Sequence, residues 1–258
     1  VSTPVVLAHG LFGFERIGVG RWTLATYFRG IPEYLRSLGV RVIVTRVHPT
    51  AGISFRARKL GERINEVYPE GPLHIIGHSM GGLDARQLLA EAGWAGRVVS
   101  LTTIAAPHRG SSLSVAASGH FGPVYGLLRS IGWDHQGFFD LLPEAIERWR
   151  ESLPTPPGVP CYTLAGNPAP DAVCRPLRRL YDHIAERDGE NDGLVSVSSA
   201  TGFGTVLDSC PVDHLRQMNW CTGLPGRVVR SDVRKLYRRI LDTIAVHDPV
   251  SEAVEAMS

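Results

Sequence analysis

Ser79 stands between two glycines in Gly77-His78-Ser79-Met80-Gly81, with the apolar run Leu73-His74-Ile75-Ile76 before it and Leu83, Gln87, Leu88 and Leu89 after it. A serine hydroxyl becomes a useful nucleophile only when a neighbouring base can take its proton and its own backbone holds it clear. A strand, a tight turn and a helix do this. The glycines leave room where a β-carbon would collide, the serine sits in a strained conformation, and the new helix aims its N-terminal amides at the same spot. G-x-S-x-G also occurs as a plain glycine–serine turn; here the strand before it and the helical spacing after it mark a nucleophile elbow.

The base must be a histidine and its partner a buried carboxylate that fixes the imidazole tautomer, in the chain order serine, acid, histidine. The histidines after Ser79 are His108, His120, His135, His183, His214 and His247. His108 follows a strand too closely, and His120 and His135 fall in an insertion. His183 precedes the best acid, and His247 ends a helix, where a histidine caps carbonyls. His214 remains. Asp171, Asp182, Asp188, Asp192, Asp208 and Asp213 lie between serine and base. Asp192 opens an Asn-Asp-Gly turn beside Leu194 and Val195, which can bury one face of its carboxylate. Asp213 adjoins His214, so its side chain tends to point elsewhere. Asp192 is the chosen acid.

Two backbone amides must hold the oxyanion that forms when a serine attacks a carbonyl. The run Val5-Val6-Leu7-Ala8 ends in His9-Gly10-Leu11-Phe12-Gly13-Phe14, and the amide of Leu11 is one candidate donor. The amide of Met80, next after the serine, is the other. His9 is read as a brace for this loop rather than a proton carrier.

The elements that must position these residues alternate along the chain. The unbroken apolar run at 5–8 reads as a central strand buried on both faces, and 40–47, 73–76 and 98–104 read as further strands. Helices are expected over 31–38, from a Ser54 cap to about Tyr68, and from about Ser231 to Val246. Residues 15–30 read as an aromatic loop and Val159–Leu164 as a late strand. The alternation predicts an α/β fold, a doubly wound, mostly parallel sheet. It breaks at 111–153, where small residues precede Val124, Tyr125, Trp133, Phe138 and Phe139, and Pro143 opens a helix. That stretch reads as a lid or cap over the serine, with plain core as the alternative. One domain spans 1–258.

Composition excludes several classes. The 258 residues are 43% hydrophobic with a net charge of +2, which suits one full core and calls for no nucleic acid or anionic membrane partner. The basic residues are 25 Arg and 2 Lys, scattered rather than clustered. No run of about 18 apolar residues predicts a membrane span. The chain opens at Val1, directly before a strand, as either a removed leader or a trimmed sequence would leave it. Four cysteines, Cys161, Cys174, Cys210 and Cys221, permit three full pairings, the sequential one closing two short loops, and match no zinc spacing. Secretion with disulfides is the expectation; a cytoplasmic enzyme with reduced thiols is the alternative.

Taken in order, His9-Gly10-Leu11-Phe12-Gly13-Phe14, Gly77-His78-Ser79-Met80-Gly81-Gly82, Ala106-Pro107-His108-Arg109-Gly110-Ser111, Asn191-Asp192-Gly193-Leu194-Val195 and His214-Leu215 resemble the true bacterial triacylglycerol lipases of the Pseudomonas, Burkholderia and Proteus type. The resemblance spans roughly residues 4 to 220. It implies an α/β-hydrolase fold, a mobile lid, acyl ester substrates met at an oil–water interface, and secretion. It implies Ser79, Asp192 and His214 as nucleophile, acid and base, with Leu11 and Met80 as oxyanion donors; some relatives need a folding helper. There are departures. Pseudomonas and Burkholderia members bind a structural calcium partly through an aspartate two residues after the base, where this chain has Arg216, and carry Gln six after it, where this chain has Trp220. No cofactor is required, and calcium would need another carboxylate such as Asp171 or Asp182. Their disulfide does not map here; a Cys210–Cys221 bridge would staple the His214 loop instead. A carboxylesterase, polyester hydrolase or thioesterase would share the same elbow, and a catalytically silent carrier is the reading from another class.

Overall fold

The computed structural model describes residues 1–11, 17–19, 22–114, 136–153, 158–221 and 228–249. Six strands form one all-parallel sheet, taken in sequence as β1 (Val5–Ala8), β4 (Val42–Val44), β5 (Leu73–His78), β6 (Val98–Ile104), β7 (Cys161–Leu164) and β8 (Thr205–Val206); β2 (Ile17–Val19) and β3 (Trp22–Ala25) make a separate antiparallel pair. The spatial order is β4-β1-β5-β6-β7-β8, so β1 and β5 are neighbours, with Ala8 opposite Gly77.

Period-two alternation sends successive β1 side chains to opposite faces. Val5 and Leu7 pack with α1 (Ile31–Ser37) and the last long helix (Ser231–Ile244), through Ile31, Leu35, Val233, Tyr237 and Ile240. Val6 and Ala8 pack with α2 (Ile53–Val67) and α3 (Met80–Leu89), through Ala57, Leu60, Ile64, Ala85 and Leu88. Helices on both faces bury the parallel sheet. The doubly wound α/β architecture is as the sequence predicts.

Local differences have local causes. The expected 40–47 strand is only Val42–Val44, because it is an edge strand paired along one side to the short β1; beyond it Thr45 turns its amide and hydroxyl onto the Leu7 carbonyl. The 15–30 stretch contains the β2–β3 pair rather than loop alone. Ser54 does not cap α2: Gly52 holds the N-cap position, and the Ile53 amide donates to the Asp140 carboxylate at 2.7 Å. A cap brought from 87 residues away leaves no local sequence signal.

The 111–153 insertion is described at its two ends. It contains α4 (Gln136–Asp140) and α5 (Pro143–Ser152), and Ile146 of α5 is buried with Met80 and Leu83 of α3. Its centre, 115–135, with His120 and the first aromatic cluster, lies outside the described residues.

All four cysteines are free thiols. The Cys161 and Cys210 thiols donate to the carbonyls of Val159 and Ala165, and Cys221 meets Cys174 rather than the expected Cys210. Burial, with Asp213 and Cys221 beside it, pushes the Cys174 thiol up to about 12. No described helix is long and apolar enough to cross a membrane.

Candidate active site

The C-terminal ends of β1, β5 and β6 deliver the loops that start at His9, Ser79 and Ala105 to one edge of the sheet. In open parallel sheets that edge, where the strand order switches direction, is where a cleft forms. Ser79 takes φ 56° and ψ −132°, a region an L-residue adopts only when its surroundings force it. They do so here. A β-carbon on Gly77 would lie 2.6 Å from the Gly82 Cα, and one on Gly81 would run into the Ala8 carbonyl. The Ser79 amide donates to the Ile104 carbonyl at 2.9 Å, fixing the turn to β6. The serine hydroxyl stays half-exposed at the N-terminus of α3 while its flanks are buried.

His214 and Asp192 come together from different loops. The His214 Nδ1–H donates to Asp192 Oδ2 at 2.8 Å, and the His214 amide donates to the Asp192 carbonyl at 3.0 Å. The other carboxylate oxygen, Oδ1, accepts the amides of Leu194 (3.0 Å) and Val195 (2.8 Å), and the Gln217 side chain adds a 3.0 Å bond to Oδ2. Asp192 is fully buried, and hydrogen bonds from four groups compensate the desolvation of its charge. The Asn-Asp-Gly turn explains the geometry: Asn191 Oδ1 accepts the Gly193 amide at 2.8 Å, and Gly193 has φ 96°. Asp213, the adjacent carboxylate, faces away from the imidazole. It accepts the amides of Cys174, Leu215 and Arg216.

The loop after β1 is braced as well. His9 accepts the Val47 amide at Nε2 (3.2 Å), so its proton sits on Nδ1 and is donated to the Gly10 carbonyl at 2.9 Å. In a trans peptide the Leu11 N–H points opposite to that carbonyl. His9 therefore sets the direction of the Leu11 amide. Burial, helped by Arg56, holds His9 neutral, its pKa lowered to about 3. Neither the Leu11 nor the Met80 amide donates to a protein acceptor among the described residues.

Sequence reading missed the pair that anchors this loop. Arg56 is fully buried; it donates to the carbonyls of His9 (2.7 Å) and His48 (2.6 Å) and to Asp84 Oδ2 (2.9 Å). Burial outweighs Arg56 and raises the Asp84 carboxyl to about 6. The signal was a charged residue within the apolar stripe Ile53, Arg56, Ala57, Leu60 and Ile64.

Ser79 and His214 open onto one cavity of about 380 Å³, walled by Leu11, Leu141, Leu194, Met218 and Trp220. Its lining is almost wholly apolar beyond those two side chains, which suits an acyl chain better than a sugar or a charged group. Ser111, Leu113 and Phe138 of the insertion also face it. Together these groups can activate a hydroxyl, receive a carbonyl compound with an apolar tail, and place two amides near the developing oxyanion.

The calcium position of the resembling lipases does not fit a metal here. Arg216 makes an ion pair with Asp213 at 3.3 Å and donates to the Ala172 carbonyl, so a guanidinium supplies the positive charge. Asp171 and Asp182 are exposed, and no group of three or more His, Cys, Asp or Glu side chains poised for a metal exists among the described residues.

Comparisons with known proteins bear on the family and the fold. The model of the family described as "Alpha/beta hydrolase family" matches residues 5–234. The chain is 29% identical to "Triacylglycerol lipase 2" of Saccharomyces cerevisiae, over 85% of this chain and 73% of that protein. It is 33% identical to a "Triacylglycerol lipase" of Pseudomonas fragi, over 43% of this chain; that match spans only 36% of the relative. The crystal structure of Staphylococcus hyicus lipase superposes with a TM-score of 0.77 at 18% identity, covering 95% of this chain and 96% of that one.

Proposed function

The chain belongs to the α/β hydrolase family, and from that premise we propose that it is a triacylglycerol lipase of the true bacterial kind, a serine ester hydrolase working through an acyl-enzyme on Ser79. The carrying observation is Ser79 and the Asp192-bonded His214 opening together onto an apolar cavity. Ser79 attacks the ester carbonyl while Nε2 of His214 takes its proton. This is the free nitrogen because Nδ1–H is committed to Asp192. The amides of Leu11 and Met80 receive the oxyanion, each donor worth about 10² to 10³ in rate. His214 then protonates the leaving alcohol, and water repeats the two steps on the acyl-enzyme.

The partner in this reading is an emulsified acyl glycerol, the insertion at 111–153 is its lid, and no cofactor enters the chemistry. Secretion belongs to the same proposal. In an oxidising compartment Cys174 and Cys221 are the pair in contact and the one that would close. A peptide map of the non-reduced protein that joined Cys210 to Cys221 instead would contradict that pairing.

Wild type and Ser79→Ala are compared on a soluble short-chain p-nitrophenyl ester and on an emulsified long-chain triacylglycerol. Activity on both, rising at the interface and lost in the variant, is expected. Activity on the soluble ester alone would make the protein a carboxylesterase or polyester hydrolase with a static cap. Activity surviving in Ser79→Ala would end the reading.

A further inference from the structure

Asp192 is held by more than its turn and its histidine. Gln217 is fully buried, and its side-chain Nε2 donates to Asp192 Oδ2 at 3.0 Å and to the Val212 carbonyl at 3.2 Å. Both amide protons are used, so its Oε1, 2.9 Å from His78 Nε2, accepts. His78 Nε2 therefore carries the proton. The other nitrogen, Nδ1, is left to accept from the Tyr27 hydroxyl at 2.7 Å, and the Tyr27 oxygen accepts the Gly10 amide at 3.1 Å. Each donor meets an acceptor along the whole path. It runs from Gly10, whose Cα faces Ser79 so closely that an added β-carbon would lie 2.7 Å from the serine Cβ, to the carboxylate that orients His214.

His78 faces Tyr27, Gln217 and His214, the His214 ring centroid 4.6 Å away. A proton on both nitrogens of His78 would set a like charge against the imidazolium that His214 becomes during the reaction. Burial first, and His214 second, keep His78 neutral. Gly166 shows how tightly the amide is housed: a β-carbon there would collide with Gln217 Nε2 and lie 2.7 Å from the Asp192 Cβ.

We infer that Gln217 is a positioning residue for the hydrolytic reaction: its carboxamide orients Asp192 on one side, fixes the neutral tautomer of His78 on the other, and through Tyr27 ties the carboxylate to the Gly10 loop beside Ser79. This rests on the assignment of Ser79, His214 and Asp192 above. The path couples the acid and the oxyanion side as one unit, because turning the carboxamide over would set an N–H against His78 and take the Gln217 donor away from Asp192 Oδ2.

The test measures kcat, KM and the pH profile of Gln217→Glu, Gln217→Leu and Tyr27→Phe on a short-chain p-nitrophenyl ester, with wild type and Ser79→Ala alongside. In Gln217→Leu, kcat falls about 10- to 100-fold, the range for one lost hydrogen bond to a charged group, while KM stays within about twofold. Gln217→Glu keeps the size but removes the donor. Its carboxylate and Asp192 then share a proton, which adds an ionisation to the pH profile that wild type and Gln217→Leu lack. Tyr27→Phe lowers kcat less, and its effect is not additive with that of Gln217→Leu. A Gln217→Glu enzyme whose kcat and pH profile superimpose on wild type, or variants that lose only thermal stability, would overturn the inference. If Gln217→Leu does not fold, Gln217→Glu and Tyr27→Phe decide. Activity persisting in Ser79→Ala would instead sink the underlying assignment, so the two failures are distinct.

Discussion

Replacing Asp192 by asparagine exchanges one oxygen for an amide nitrogen, and the structure leaves that nitrogen nowhere to go. Oδ1 accepts two backbone amides, from Leu194 and Val195, which cannot turn away. The asparagine oxygen must stay there. Its NH₂ then occupies the Oδ2 position, facing His214 Nδ1–H at 2.8 Å and the Gln217 amide at 3.0 Å, both donors. His214 escapes by moving its proton to Nε2, the nitrogen that must accept from Ser79. Loss of the productive tautomer costs about 10⁴ in kcat, or roughly 5 kcal/mol in the barrier. The assay is saturating hydrolysis of a soluble p-nitrophenyl ester, with circular dichroism melts to establish that the variant is folded. Asp213→Asn is the control: its carboxylate serves Cys174, Leu215 and Arg216, so it lowers the melting temperature and keeps kcat within about tenfold. An Asp192→Asn enzyme retaining a tenth of its activity, with Asp213→Asn inactive, would show that the wrong carboxylate had been paired with His214.

Acid unfolding should be steep. His9, His78 and His108 are buried with pKa values lowered chiefly by burial, His9 to about 3. The unfolded chain binds a proton at each near pH 6.5, so stability present above that pH is lost as the pH falls toward the folded values, at about 1.4 kcal/mol per histidine per unit. Asp84, raised to about 6, opposes this by one such increment down to its unfolded value near 4. The three losses add, so the acid transition lies well below neutral pH, and fluorescence showing a native fold at pH 2 would contradict the burial of neutral histidines. Arg56→Met removes the partner of Asp84 and two carbonyl contacts, and should cost about 3 to 5 kcal/mol in urea melts. Adding Asp84→Leu should return much of that loss. If it returns nothing, the charge left behind is not what the single change exposes.

How much of this was legible before any coordinates? The elbow was, because apolar run, glycine spacing and helical period lie within a dozen residues and each constrains the next. So was the parallel sheet, since short strand-like runs alternate with helical periods along the chain. The order serine, acid, histidine picked Ser79, Asp192 and His214, and the structure brings the last two into contact and opens the first and last onto one cavity. Contacts between residues distant in sequence were not legible. Asp140 capping α2, Arg56 holding the His9 carbonyl, Gln217 on Asp192 and Cys174 against Cys221 join residues 25 to 87 positions apart, and no local pattern encodes such a meeting. The Ser54 cap failed for the same reason: it assumed that neighbours in sequence are neighbours in space. Sequence by itself determined which residues could carry the chemistry, since local sterics and periodicity are short-range. Tertiary structure alone decided which hydrogen bonds hold them in working geometry, because those depend on where the sheet brings separate loops together.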